Sequence, residues 1–202
     1  MGQRLVVTIR SNEEDLAKIY YHWGAYTESA LMHARDILDC IYNGKDESIK
    51  EFQLRLIRWC ENNGGGIDGG GKSDEFKRIQ NMFPNETFET DDYSRNDGLI
   101  ALSEEGMEHM QGWSEGDITI NLDDEVIYNE VMWSYECFEE YKESRKEWDD
   151  EFDEEMTIND VPEIKYDLYE IPFEKISDVI HELDKVTDCF IRHGNEIYEL
   201  IE

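Results

Sequence analysis

The chain has 202 residues, with 50 acids against 19 bases and a formal net charge of -31 at neutral pH. Its apolar share of 39 % and aromatic share of 12 % are enough for a packed core and exclude wholesale disorder. No run approaches the ~18 apolar residues of a membrane-spanning helix, and the charge far exceeds the magnitude of about 2–8 that keeps a small domain soluble.

At the N-terminus Leu5, Val7 and Ile9 alternate with Val6, Thr8 and Arg10, which predicts a strand. Ser11 to Asp15 reads as a polar turn and Leu16 to Trp23 as a second strand closing a hairpin. Thr27 can cap a helix to about Tyr42, with Ala30, Leu31, Ala34, Ile37, Leu38 and Ile41 on one face and Asn43-Gly44 as its stop. A second helix is predicted from about Glu47 to Glu61, with Ile49, Phe52, Leu56, Ile57 and Cys60 inward. Six glycines in the eleven residues from Asn62 to Lys72 predict a flexible loop. A short helix from Asp74 to Met82 ends before Pro84, and residues 85–97 read as irregular.

Leu99 to Leu102 is strand-like, and Gly106 and Gly112 punctuate the next segment. Residues 117–133 carry the clearest hairpin pattern, turning at Asp123-Asp124. An acidic helix is predicted over 135–155, a strand over Ile164 to Ile171, and a last helix over 172–187 that starts at Pro172. Hairpins and helices mix without a regular βαβ alternation, so the expected class is α+β: antiparallel hairpins packed with several helices, one of them long and acidic.

The charge divides the chain. Residues 1–84 hold 13 acids and 11 bases, a net of -2, and residues 85–202 hold 37 acids and 8 bases, a net of -29. The expected organisation is therefore a near-neutral part over 1–84, with the glycine-rich loop at 62–73, and a strongly acidic part over 85–202. Adaptation to salt should acidify the whole surface, so the asymmetry favours a localised electrostatic role. The densest stretch is Glu136 to Glu155, with 11 acids and 3 bases in 20 residues. As a helix it would place Phe138, Tyr141, Trp148 and Phe152 on one stripe. The carboxylates Glu136, Glu139, Glu140, Glu143, Glu147, Asp149, Asp150, Glu151, Asp153, Glu154 and Glu155 would take the remaining surface. Over the ~30 Å of such a helix they recur about every 2.7 Å, close to the ~3.4 Å phosphate spacing along one DNA strand. The bland alternative is a solvated acidic face that maintains solubility. Trp113, flanked by Gly112 and Gly116, is the expected exposed anchor of an interaction surface.

Enzymatic patterns are thin. Gly66 to Ser73 fits the phosphate-loop spacing GxxxxGK[ST], but the segment before it has helical periodicity where that chemistry needs a buried strand. His22, His33, His109, His181 and His193 form no i, i+3 or i, i+4 pair, and His181-Glu182 lacks the second His of a zincin helix. Ser114 does fall in a GxSxG spacing, Gly112-Trp113-Ser114-Glu115-Gly116, but no strand pattern precedes it as a nucleophile elbow needs. The acid clusters lack calcium-loop spacing. Cys40, Cys60, Cys137 and Cys189 are widely spaced and read as reduced structural thiols. The expectation is therefore a non-enzyme with no cofactor, metal, membrane or direct nucleic-acid partner. The N-terminus lacks the pattern of a signal peptide, so the expected compartment is the cytoplasm, that of the host cell if the gene is carried by a phage. A two-fold dimer through the apolar N-terminal half is compatible with the sequence.

In its acidic helix and lopsided charge the chain resembles, at class level, the acidic anti-defence proteins of phages and mobile elements. Anti-CRISPR and anti-restriction nucleic-acid mimics belong to that class. The resemblance covers only the acidic half and rests on no family motif. It implies an inhibitor that occupies the basic groove of an effector nuclease through protein–protein contact. The alternatives are a nucleotide- or metal-dependent enzyme using Gly66–Ser73 or the acid clusters, and an acidic accessory protein with no discrete basic partner.

Overall fold

Alternating burial at the N-terminus builds the centre of a sheet. β1 (Leu5–Ser11) sends Leu5, Val7 and Ile9 to one side and Val6 and Thr8 to the other, all of them buried. β2 (Glu14–Tyr21) returns antiparallel through a turn in which Asn12 and Glu13 have φ of 53° and 64°. Two successive positive φ values twist a two-residue turn to match the strands. The computed structural model describes residues 3–42, 47–69, 73–88, 98–131 and 165–186. The acidic helix expected over 135–155 and the chain beyond 186 lie outside the described residues.

Helix α1 (Thr27–Tyr42) buries Ala30, Leu31, Ala34, Ile37 and Leu38, as its periodicity predicts. Helix α2 (Ile49–Asn62) starts at a reciprocal cap: Ser48 Oγ accepts from Glu51 N–H, and the Glu51 carboxylate accepts from Ser48 N–H at 2.8 Å. Phe52, Leu56, Ile57 and Cys60 face inward, but Ile49 is 56 % exposed. As the first helical residue its side chain points back past the helix end, away from the packed turns.

The glycine-rich stretch is not wholly a loop. Gly66–Ile67 form β3, parallel to β4 (Leu99–Ala101), with Asp68 N–H donating to Ile100 O at 3.1 Å. Helix α3 (Asp74–Met82) joins the two strands, so β3–α3–β4 is a βαβ crossover that the expected hairpin arrangement lacked. A helix that the glycines concealed, α4 (Glu104–Gln111), comes next in the chain.

β5 (Gly116–Asn121) pairs parallel with β1, and β6 (Val126–Asn129) pairs antiparallel with β5. Their turn is held by the Asn121 Oδ1, which accepts from the N–H of Asp123 and Asp124. The described hairpin strand ends at Asn129. Of the strand expected over Ile164 to Ile171, only the end forms among the described residues 165–171, as β7 (Glu170–Pro172) beside β6. Upstream, Asp167 Oδ1 accepts from Tyr169 N–H at 2.8 Å, a local turn that competes with extended pairing. A single 3-10 turn, Phe173–Lys175, leads into α5, helical over the described residues 176–186.

The result is an α+β fold with a seven-stranded mixed sheet ordered β3-β4-β2-β1-β5-β6-β7. Strands from both halves of the chain interleave in it. One face carries Leu5, Val7, Ile19, Ile118, Ile120 and Ile127 and packs against α1, α2 and α5. The other carries Val6, Tyr20, Leu99 and Ala101, which pack against Met110 of α4.

Candidate interaction surface

Residues 98–131 contain nine carboxylates and no Lys or Arg. The fold places Glu104, Glu105 and Glu108 on α4 and Asp117, Asp123, Asp124 and Glu125 on the β5–β6 hairpin, while Glu115 between them is paired with Arg4 at 2.8 Å. On α4, Glu104, Glu105 and Glu108 are exposed, while Gly106 and Met110 turn to the sheet. Arg78 partly neutralises Glu105 at 3.3 Å, but no described Lys or Arg pairs with Glu104 or Glu108.

Both ends of α4 are clamped. At its start Ser103 is the N-cap, its hydroxyl accepting from Gly106 N–H at 3.1 Å. The buried carboxylate of Glu75, on α3, accepts from the N–H of Leu102 at 2.7 Å and of Ser103 at 3.0 Å, and also from the Ser103 hydroxyl. Glu75 is only 5 % exposed, so these bonds replace the water it lost. At the other end Gln111 Oε1 accepts from the largely buried Lys18 Nζ at 2.5 Å, and Gln111 Nε2 donates to Asp117 Oδ1 at 2.8 Å. The helix is therefore a fixed platform for its outward carboxylates.

Beside α4 runs a line of aromatic rings. Trp23 meets His22 edge-on at 5.3 Å between centroids, and the Tyr20 hydroxyl lies 3.0 Å from His22 Nδ1. Tyr20 meets Trp113 edge-on at 6.0 Å, and Trp113 meets His109 of α4 at 4.8 Å. Trp23 is 49 % exposed and His109 is exposed. Trp113, the expected exposed anchor, is instead half-buried: its ring packs on Tyr20 and the second core rather than standing free between its glycines.

A second acidic site forms where the fold brings two turns together. Asp123 accepts from Asn12 N–H at 2.5 Å and from Ser11 Oγ at 3.1 Å. This joins the β1–β2 turn, with exposed Glu13 and Glu14, to the β5–β6 turn, with exposed Asp123, Asp124 and Glu125. The near-neutral half thus adds acids to those of the acidic half at one end of the sheet. Arg10 there is already bound to Asp15 at 2.7 Å.

The expected partner-binding residues Glu136, Glu139, Glu140, Glu143, Glu147, Asp149, Asp150, Glu151, Asp153, Glu154 and Glu155 lie outside the described residues. The carboxylates of α4, the aromatic line and the paired acidic turns do not stand out in the sequence. The Ser103-Glu104-Glu105 start, a capping residue followed by acids, is the one local signal for α4.

The phosphate-loop spacing meets a poor setting. β3 does precede α3, but Ser73 caps α3 with its own hydroxyl, accepting from Phe76 N–H at 2.9 Å and donating to Asp68 O at 2.8 Å. The first turn then carries Asp74 and Glu75, which oppose a bound phosphate. Burial pushes the Asp68 carboxyl up, against a counter-pull from nearby His109. Cys40 and Cys60 are buried free thiols, and burial raises both, most strongly Cys60, away from thiolate reactivity. Among the described residues no group of three or more His, Cys, Asp or Glu side chains could hold a metal ion, and no helix is long and apolar enough to cross a membrane. No protein-family model, curated protein or solved structure matches the chain.

Proposed function

We propose that this protein is a non-enzymatic interaction protein that presents an acidic surface to the basic groove of a nucleic-acid-binding effector, in the manner of an inhibitor that mimics nucleic acid. The observation that carries the reading is the span 98–131, with nine carboxylates and no Lys or Arg, seven of the nine held on α4 and the β5–β6 hairpin. A preorganised acidic face binds a basic groove without the entropy loss of ordering itself first. Carboxylates would steer encounter and give salt-sensitive affinity, and the aromatic line from Trp23 to His109 would lengthen residence through cation–π and stacking contacts. The acid-rich segment Glu136–Glu155 extends the same charge along the sequence. A CRISPR-associated or restriction nuclease has the kind of phosphate-binding groove such a surface fits.

Charge reversal tests it. Changing Glu104, Glu105 and Glu108 to Lys, and in a second variant Glu140, Glu143, Glu147 and Asp150 to Lys, should abolish binding to the basic partner while the circular-dichroism spectrum is kept. Undiminished affinity in both folded variants would rule the reading out.

A further inference from the structure

On the sheet face opposite α4, a cavity of about 190 Å³ opens between α1, α2 and the end of β2. Its walls are aromatic: the Trp59 indole from α2, and Tyr21 of β2 stacked on His33 of α1 with centroids 3.8 Å apart and planes 19° from parallel. Its polar lining comes from Asp36 of α1 and Asn63 at the end of α2.

Two acceptor oxygens of this lining are open among the described residues, beside the ring N–H groups of His33 and Trp59. Arg35 Nε and Nη2 both donate to the same oxygen of Asp36, Oδ1, at 3.0 and 2.8 Å, which leaves Oδ2 without a donor among the described residues. Asn63 spends its amide Nδ2 on Trp59 O at 2.8 Å, which leaves its Oδ1. Burial holds His33 below its ordinary 6.5, so the ring adds no positive charge at pH 7. Among the described residues no Lys or Arg lines the cavity.

Other occupants fit poorly. An anion would meet the Asp36 carboxylate and the field of a chain with net charge -31. An electrophile would meet Cys60, whose thiol burial keeps protonated. A metal ion would find no set of three suitable ligands among the described residues. A donor that is also a cation meets the two open acceptors and an aromatic lining together. The volume, below the ~300–1,000 Å³ of sites for drug-sized ligands, suits a short stem with an ammonium or guanidinium head.

We propose that this cavity is a binding site for a small organic cation of the alkylguanidinium or alkylammonium class, free or as a Lys or Arg side chain, held between Trp59 and the Tyr21–His33 stack with its head group on Asp36 and Asn63. The site stands on its own lining and does not depend on the acidic surface of α4.

The test is a titration of the ¹⁵N-labelled full chain with propylguanidinium and butylammonium, with butanol as the neutral control. The expected result is saturable shifts of the Trp59 indole N–H and the Asn63 and Gly98 amides with both cations and none with butanol. Asp36→Asn should weaken binding about fivefold, and Trp59→Leu about fivefold. Asp36 is exposed, so Asp36→Asn carries the test if Trp59→Leu fails to fold. The proposal is overturned if these signals do not move, if butanol moves them equally, or if Asp36→Asn titrates as the wild type does.

Discussion

Gly106 is a helical glycine whose replacement by alanine should destabilise the protein. In an ordinary helix interior Gly→Ala gains about 0.5–1 kcal/mol, because glycine loses more backbone freedom on folding. Here a Cβ would stand 2.5 Å from Glu75 Oε2, 2.8 Å from its Cδ and 3.2 Å from Ala101 Cβ. Something must move, and the carboxylate cannot move without stretching the bonds it accepts from Leu102 and Ser103. Losing one hydrogen bond to a charged group costs about 1.5–3 kcal/mol, so the net loss should be about 1–2 kcal/mol after the propensity gain. For a chain of this length that lowers the melting temperature by roughly 2–8 °C. Thermal unfolding followed by circular dichroism reads it directly. Repeating Gly106→Ala in a Glu75→Ala background gives the decisive control: with the carboxylate gone only Ala101 Cβ, at 3.2 Å, still crowds the new methyl, and the loss should shrink markedly. A higher melting temperature for Gly106→Ala alone, or equal effects in the two backgrounds, would refute the lock between α3 and α4.

Other consequences concern ionisation and reactivity. Asp68→Asn should stabilise the protein at pH 7, because the raised carboxyl of Asp68 makes the folded state lose stability as pH rises above 3.8. The gain should vanish below that pH, where both forms are neutral, and melting curves from pH 3 to 7 check it. The imidazole of His33 should titrate below 6.5 in an NMR experiment, and that depression removes stability as pH falls through the same range. Cys40 and Cys60 should resist a thiol reagent in the folded chain and react on unfolding, as mapped by peptide mass spectrometry. Fast native labelling of Cys60 would contradict its burial.

Much of the fold is legible residue by residue, because local pattern and tertiary packing agree. The 3.6-residue spacing of Ala30, Leu31, Ala34 and Leu38 is the face α1 buries, and the alternation of Leu5, Val7 and Ile9 is the pleat of β1. What escaped depends on distant partners. Gly106 reads as a breaker until Glu75, on another helix, supplies the reason a side chain is excluded there. β3 is two residues inside a glycine run, and only its bonds to Gly98 and Ile100 make it a strand. The parallel pairing of β1 with β5 leaves no local trace, because it joins strands far apart in sequence. The surface shows the same division. Charge density along the sequence points to Glu136–Glu155, whereas the carboxylates of α4 and the meeting of Asp123 with the Asn12 turn become visible only once helix and sheet are in place.

The central claim, that the acidic surface occupies a basic nucleic-acid groove, is tested most directly by affinity capture. The tagged chain would be mixed with extracts of cells carrying nucleic-acid-directed defence systems and washed at rising salt. The account predicts recovery of a basic nuclease or helicase that elutes as salt rises, is displaced by duplex DNA or guide RNA, and is not captured by the Lys variants of Glu104, Glu105 and Glu108. Recovery of no such protein, or capture that neither nucleic acid nor charge reversal disturbs, would contradict it.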